Sequence, residues 1–483
     1  MTTNGDIQAV LDPQAVPDPD YVRQLAETKR VVELWCADRQ NQELLRSQPE
    51  TLLAQYNLHL DAQELPFLWD ESANHDNLPL CAKRYAAFMQ EKLAFRTRLQ
   101  QRDCEPSEEC FKVWRQRQMK RNASELGKIQ HDGMVYTPVA IELSQGCSVG
   151  CWFCAFGARA LQDVFLYTPT HRQLWRDVLE ALRRVIGPAA GFGVCYWATE
   201  PLDNPDYEKF LGDFHDVLGV FPQTTTALPM KDPQRTRALL ALSRSKGGVI
   251  ERFSILSLGL FRKVLRTFTP EELLFTELLP RNQESLLVTT NAGRARAKFT
   301  GQQQRPAGTI ACVAGFKINM VERSIELIAP CAATDRWPLG YWSYDVKTFA
   351  DAGELESVLR TMIRTYMPPT LRYADRIRFR EDLRYERTPD GFTVHSPHKT
   401  LAFRAIPYLD EIGDLIQAGA MSAGDIALWC EARHQTPLEN TFYALNYLFA
   451  QGILAEEPHN NPALSGSGQS GAGEEGVCAQ RWS

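Results

Sequence analysis

The sequence predicts an α/β protein in which a partial (β/α)6 barrel is preceded by a helical region and followed by a small winged-helix-like domain. Three observations carry this expectation. From residue 136 to about residue 345, short apolar segments alternate with amphipathic ones, as in βαβ units around a parallel sheet. Residues 18 to 100 instead repeat apolar positions at helical spacing, and residues 400 to 457 mix strand and helix signals over a winged-helix length. With 483 residues, 44% of them hydrophobic, the chain has material for about two to four domains. The expected divisions are a helical region 1–105, a basic linker helix 106–134, a core 135–345 with post-barrel strands, a connecting region 346–399, the small domain 400–458 and a disordered tail 459–483.

The helical region includes TKRVVELWCADRQNQELL and ETLLAQYNL, with apolar residues three and four apart. Its start, MTTNGDIQAV, lacks a basic segment followed by an apolar one, and no run approaches the roughly 18 apolar residues of a membrane span. The expectation is a cytoplasmic chain with no membrane partner. A net charge of -6 gives no overall attraction to a polyanion, so nucleic acid is not an expected partner either. In the linker helix, EECFKVWRQRQMKRNASELGKIQ gathers Lys112, Arg115, Arg117, Lys120 and Arg121. Read alone, this is a solvated face, with a docking surface for an acidic peptide as the alternative.

Core strands are expected at 138–145, 192–198, 221–227, 251–258, 286–290 and 309–316. Between them, RQLWRDVLEALRRVIG places Leu174, Val178, Leu182 and Val185 on one helical face. Asp232 before Pro233 marks a second helix start, and Thr269 with Pro270 and Glu272 reads as a capping box opening a third. Residues 309 to 341 read as paired strands turning near Val321 to Ser324 and ending at Pro330-Cys331. In such folds the chemistry gathers at the carboxyl ends of the strands.

The first of those ends carries ELSQGCSVGCWFCAFGA, with three of the chain's twelve cysteines, Cys147, Cys151 and Cys154, within eight positions. CxxxCxxC lets one loop turn three thiolates toward a common point. A structural zinc site would normally add a fourth Cys or His, and no His lies within about ten residues. An iron–sulfur cubane held by only three thiolates keeps one iron open for another molecule. Cluster, zinc site and free thiols are the readings the spacing allows.

This loop resembles the signature of the radical S-adenosylmethionine (SAM) enzymes, in which SAM occupies the open iron of one [4Fe-4S] cluster. The resemblance assigns Cys147, Cys151 and Cys154 to the cluster and Phe153 to the aromatic position before the third cysteine. Thr199 and Glu200, in YWATEP, match the place where the family binds the SAM ammonium group, although Ala198 and Thr199 stand where it usually has two glycines. Ser254 in RFSILS is a candidate for the SAM ribose. Thr224 to Thr226 and Arg294 are further polar positions near strand tips.

Together with YWATEPLDNPDYEKF, RFSILS and IELIAPCAATDRWPLGY, the loop is similar, over residues 135 to 345, to the radical SAM epimerases that mature ribosomally made peptides of the proteusin type. What this implies is conversion of L-residues to D-residues in a precursor peptide, with electrons from an external donor such as a flavodoxin or ferredoxin. A Cα hydrogen is removed and a cysteine thiol returns one from the opposite face. Such a donor must be a neutral thiol. Cys331, between Ala329-Pro330 and Ala332-Ala333, has small uncharged neighbours and is the expected donor, with Cys312 in TIACVAG as the second choice. Rivals are thioether formation or methylation of a peptide, RNA modification, and a peptide-binding protein whose loop holds a structural metal.

Residues 400 to 458 are similar to the small leader-binding domains of peptide-maturation enzymes, which makes the precursor peptide the expected partner. The final HNNPALSGSGQSGAGEEG, Gly- and Ser-rich, reads as disordered.

Overall fold

The structure is a computed structural model that describes residues 4–70, 77–282, 285, 290–298 and 308–458. The amino-terminal helices are α1 (Asn4–Leu11), α2 (Pro19–Ala37), α3 (Arg39–Ser47), α4 (Pro49–Gln55) and α5 (Leu80–Arg98), followed by α6 (Glu109–Glu125) and α7 (Gly127–Gly133). Asp18 and Asp38 cap α2 and α3 by accepting the amides of Asp20 and Gln40.

The core runs β1 (Thr137–Glu142), β2 (Ser144–Gln145), β3 (Asp163–Val164), α8 (Pro169–Ile186), α9 (Tyr207–Leu218), β4 (Thr225–Thr226), α10 (Pro233–Ser245), β5 (Glu251–Ile255), α11 (Leu258–Thr267), β6 (Thr276–Pro280), α12 (Arg294–Lys298), β7 (Val313–Asn319), β8 (Ser324–Pro330), β9 (Tyr341–Thr348) and α13 (Ala352–Tyr366). One sheet has the order β1-β7-β8-β9, parallel between β1 and β7 and antiparallel beyond; a second, β4-β5-β6, is parallel. Val139, Ile141, Phe316, Ile318, Leu327 and Ala329 face the helices, in one core with Trp175, Val178 and Leu182 of α8. Ala140, Val313, Ile328 and Tyr341 face the other way, with Val194 and Trp197.

This is a mixed α/β fold, with corrections to the expected strands. Residues 192–198 form no ladder; their tie to β1 is the single parallel bridge of Val194 with Ala140. A 3-10 turn ends at Phe192, and Gly193 passes so close to β1 that a Cβ there would lie 2.6 Å from Val139 Cγ1. The strand expected at 221–227 shrinks to two residues, and 286–290 lies almost entirely outside the described residues. A parallel strand forms instead at β6, just after the supposed helix start. Thr269 and Glu272 do exchange the reciprocal bonds of a capping box, at 2.8 and 3.2 Å, but residues 270–275 form turns and the chain enters β6 at Thr276, where pairing with β5 prevails over the local signal. The two parallel groups meet through side chains: Thr225 Oγ1 donates to Tyr196 Oη at 2.9 Å. Among the described residues the backbone hydrogen bonding of a closed barrel is not continuous. The hairpin of β7 and β8, with its turn at 320–323, lies where the paired strands were read.

The helical region is no separate unit. Val31, Leu34 and Leu45 share a core with Phe253 and Ile255 of β5 and Phe261 and Val264 of α11. Arg30, 1% exposed, donates to the carbonyls of Leu265 and Phe268, satisfying acceptors left over at the end of α11.

The basic helix also departs from its reading as a solvated face or docking surface. Arg115, Arg117 and Arg121 of α6 are each 1% exposed. Arg115 binds the carbonyls of Gln100, Val135 and Tyr136. Arg117 makes a two-pronged pair with Glu456 at 2.7 and 2.8 Å, and Arg121 pairs with Glu125, reaches the Pro330 carbonyl and lies over Trp342, 3.7 Å from the ring centre. A guanidinium carries several donors on a planar fork, which lets it sit inside a fold when carbonyls and carboxylates meet it. Lys112 and Lys120 remain nearer the surface, on Glu105 and the Ala450 carbonyl.

The carboxyl-terminal module comprises β10 (Arg384–Thr388), β11 (Gly391–His395), β12 (Thr400–Arg404), α14 (Leu409–Ala418), α15 (Ala423–His434) and α16 (Leu438–Ala450). Its antiparallel sheet begins inside the expected connecting region 346–399 and precedes the helices, so among the described residues no wing follows the last helix. The two-residue loop Pro389-Asp390 before Gly391 is the turn signal that marks this hairpin. The expected tail, with Cys478, lies outside the described residues. No described helix is long and apolar enough to cross a membrane.

Candidate functional site

The cysteine loop leaves β1 through a tight neck. Gly146, at φ +84°, lies where a Cβ would fall 2.3 Å from the Ala160 carbonyl oxygen, and the Cys147 amide donates to Arg159 O at 2.9 Å. Inside the neck, Cys154 N–H bonds Cys151 O at 3.2 Å and Gly157 N–H bonds Cys154 O at 3.1 Å, winding the rear of the loop into successive turns. All three cysteines are half-buried free thiols. The Cys151 thiol donates to Cys154, which holds Cys154 down at about 5 and drives Cys151 up. The Ala158 amide also points at the Cys154 sulfur, 3.4 Å away.

Two arms grip this loop. Asp203, in the turn after Glu200, accepts from the Ser148 amide at 2.9 Å and the Ser148 hydroxyl at 2.6 Å. From the other side, the Arg294 amide donates to Cys154 O at 3.0 Å, while its guanidinium binds the carbonyls of Cys151, at 2.9 Å, and Ala158. Gly293, at φ +55°, permits that approach, since a Cβ would sit 2.2 Å from Ala155 O. Sequence reading missed Asp203 and placed Arg294 only among polar candidates, because neither belongs to a spaced motif.

Glu200 is 3% exposed and accepts from Thr226 Oγ1, Leu202 N–H and Ala227 N–H at 2.5, 3.1 and 2.8 Å. Burial pushes its carboxyl up to about 7. Of the roughly four acceptor positions on a carboxylate, one remains. Thr199 lies half-buried in the bend before it. A second acid, missed earlier, is Glu142 at the end of β1: it accepts from Ala198 N–H at 2.9 Å and Asn319 Nδ2 at 3.1 Å, and burial raises its pKa. Its sequence signal was an acid closing the apolar run VAIE, five residues before Cys147. Nearby, Lys317 pairs with Glu326 at 2.5 Å. On β5 and β6, Arg252 pairs with Glu277 at 2.9 Å and Lys92 joins at 3.0 Å; burial opposes the Glu277 charge, but the two cations prevail and hold it at about 2. Ser254 lies two residues along β5 from Arg252, on the same partly exposed side. Phe153 is half-buried, edge-on to Trp152, and Phe156 packs on Trp197 with 4.3 Å between ring centres.

The two candidate donor thiols fall on opposite sides of the first sheet. Cys312 packs against the cluster that contains Ala140, Val194, Trp197 and Tyr341, with Tyr196 and Phe156 beside it. Cys331, 1% exposed, continues the helix-facing side of Ala329 and lies against Trp337 and Trp342, near Arg121 and Glu125. Burial raises both thiols, so both keep their protons. Small neutral neighbours favoured Cys331 in the sequence; strand alternation, invisible to that criterion, puts it on the helix-facing side of the sheet. Cys195 is buried core.

Among the described residues no three His, Cys, Asp or Glu side chains converge as ligands of one metal ion. A cubane differs from a single ion in that each of its thiolates meets a different iron, so its sulfurs stand farther apart. Three thiols on one loop, amides and a guanidinium around them, and no fourth ligand among the described residues fit a thiolate-held cluster with an open position.

No family model matches the chain. It is 33% identical over 459 residues to "Uncharacterized protein y4wI" of Sinorhizobium fredii (strain NBRC 101917 / NGR234), covering 91% of this chain and 89% of that one. The chain belongs to the y4wI family. Among solved structures, a looser likeness, with a TM-score of 0.31 and 12% identity, spans 48% of this y4wI-family chain and 82% of BtrN, determined in complex with AdoMet and 2-DOIA. That likeness is too loose to argue from, and the chemistry of the site rests on its own residues.

Proposed function

We propose that this y4wI-family protein is a radical SAM enzyme that inverts L-residues of a ribosomally made precursor peptide. The observation that carries the reading is the loop itself: three thiols on one turn leaving β1, gripped by Asp203 and Arg294. A reduced [4Fe-4S] cluster with SAM, when bound, supplies the power to take a hydrogen atom from a peptide Cα. Cys147, Cys151 and Cys154 hold the cluster. Glu200, with an acceptor position to spare, and Thr199 and Ser254 serve SAM, while Phe153 shields the loop.

Hydrogen return requires a protonated thiol that the reacting carbon can reach, and we prefer Cys312, half-buried against Ala140, Val194 and Trp197, to Cys331, which is 1% exposed. The sequence has no second run of spaced cysteines, which favours inversion over thioether chemistry. A free edge of β12 beside Tyr443 and Tyr447 suits an extended leader segment.

The protein purified without oxygen should carry about four irons and four labile sulfides per chain. Incubated in heavy water with SAM, a reductant and its precursor peptide, it should place one deuterium on the Cα of each D-residue. Cys312→Ala should cleave SAM and form at most a hundredth of the D-residue, whereas Cys331→Ala should retain most of it. One zinc per chain with no sulfide would replace the enzyme by a peptide-binding protein with a structural metal.

A further inference from the structure

Arg294 lies far from the cysteine triplet in sequence, yet three of its bonds end on that loop, at Cys151 O, Cys154 O and Ala158 O. Its backbone is fixed in turn: Gly293 N–H donates to Pro338 O at 2.8 Å, Arg296 pairs with Asp335 at 2.7 Å, and Ala292 is buried against Ala155 and Ala333. The cation is therefore held in place beside the rear half of the loop. At the front half stands the opposite charge, Asp203, whose side chain is 1% exposed, bound to Ser148 between Cys147 and Cys151, and 3.7 Å from the largely exposed ammonium of Lys231. Around thiolate ligands these two charges act in opposite directions. A fixed positive charge favours the state carrying one more electron, and a fixed negative charge disfavours it.

We propose that Arg294 is a positioning residue that both clamps the cysteine loop and raises the reduction potential of the group the loop holds, with Asp203 as its counterweight. This rests on the cluster reading above. Arg294→Gln can keep part of the carbonyl bonding while losing the charge; Arg294→Lys keeps the charge and loses the fork. Asp203→Asn keeps an acceptor for Ser148 and loses the negative charge.

The test is a redox titration of the anaerobically purified full chain, followed by the electron paramagnetic resonance signal of the reduced cluster, with iron and sulfide counted for each variant. At a fixed potential near the wild-type midpoint, Arg294→Gln should show about a tenfold lower ratio of reduced to oxidised cluster, equivalent to about 59 mV for one electron. Arg294→Lys should stay within about threefold of wild type, and Asp203→Asn should move the ratio the other way. Iron lost from Arg294→Gln but kept by Arg294→Lys would support the clamp. An unchanged ratio in a fully loaded Arg294→Gln, or equal shifts of the same sign in Arg294→Gln and Asp203→Asn, would overturn the proposal. A wild type without iron and sulfide would instead sink the cluster reading, and this inference with it.

Discussion

Glu251, 4% exposed at the first position of β5, accepts from Ser243 Oγ at 2.5 Å and from the Thr224 amide at 2.7 Å, and burial pushes it up to about 8. The native state therefore keeps a proton that the unfolded chain releases near pH 4.5. Stability from this group is complete below about pH 4.5 and is lost as pH rises through about 8, by an amount on the order of a few kcal/mol. Glu200, raised to about 7, adds slope of the same sign. Glu251→Gln should flatten the fall in denaturation midpoint between pH 5 and 8 without abolishing it, and parallel curves for variant and wild type would discard the assignment. At this scale the sequence was uneven. That Cys147, Cys151 and Cys154 share one loop was legible because a fixed spacing needs no tertiary knowledge. Glu142, Asp203 and the opposite sheet sides of Cys331 and Cys312 were not, since burial and strand face depend on partners up to 177 residues away, as with Asn319 Nδ2 on Glu142.

Among elements, α6 binds the chain together, and its charge was what made it misleading. Arg115, Arg117 and Arg121 serve three different neighbours: the carbonyls before β1, Glu456 beyond α16, and the end of β8. Basic residues distributed around a helix leave no apolar stripe to show which sides are covered, so the sequence read as solvated. Removing one partner of a buried pair strands the other. Arg117→Ala should cost about 3–5 kcal/mol, because Glu456 would stay 13% exposed without its fork, whereas Arg117→Met with Glu456→Gln, which removes both charges, should cost much less. A double variant as unstable as the single one would show that packing against Phe449, not the ion pair, carries the cost. The capping box at Thr269 teaches the same lesson from the other side: its bonds form, but from Thr276 onward β5 offers a strand partner that the local motif could not anticipate.

For the whole molecule, the sequence suggested modules in series, and the structure joins them by shared cores and buried ions. The carboxyl-terminal module meets α6 through Arg117 with Glu456 and through Arg380, which donates to Ser124 Oγ at 3.1 Å and Gly452 O at 2.6 Å. Its last described residues meet the loop after β8, where Trp337 Nε1 donates to Glu457 at 2.6 Å. Deleting the module would uncover Arg117 and Arg121, so loss of peptide affinity in a truncation would report unfolding as readily as recognition. Point changes on its free surface separate the two. Tyr443, 75% exposed, and Tyr447, 45% exposed, stand one helical turn apart on α16, and Tyr447 reaches Phe403 on β12, whose outer edge has no strand partner among the described residues. An extended peptide on that edge would gain backbone hydrogen bonds and lay alternate side chains across the two rings. Tyr443→Ala with Tyr447→Ala should leave the unfolding midpoint and peptide-independent SAM cleavage unchanged and weaken precursor binding at least tenfold, about 1.4 kcal/mol. Unaltered affinity in that folded double variant would move the peptide site elsewhere on the molecule and leave the carboxyl-terminal module as a brace for α6.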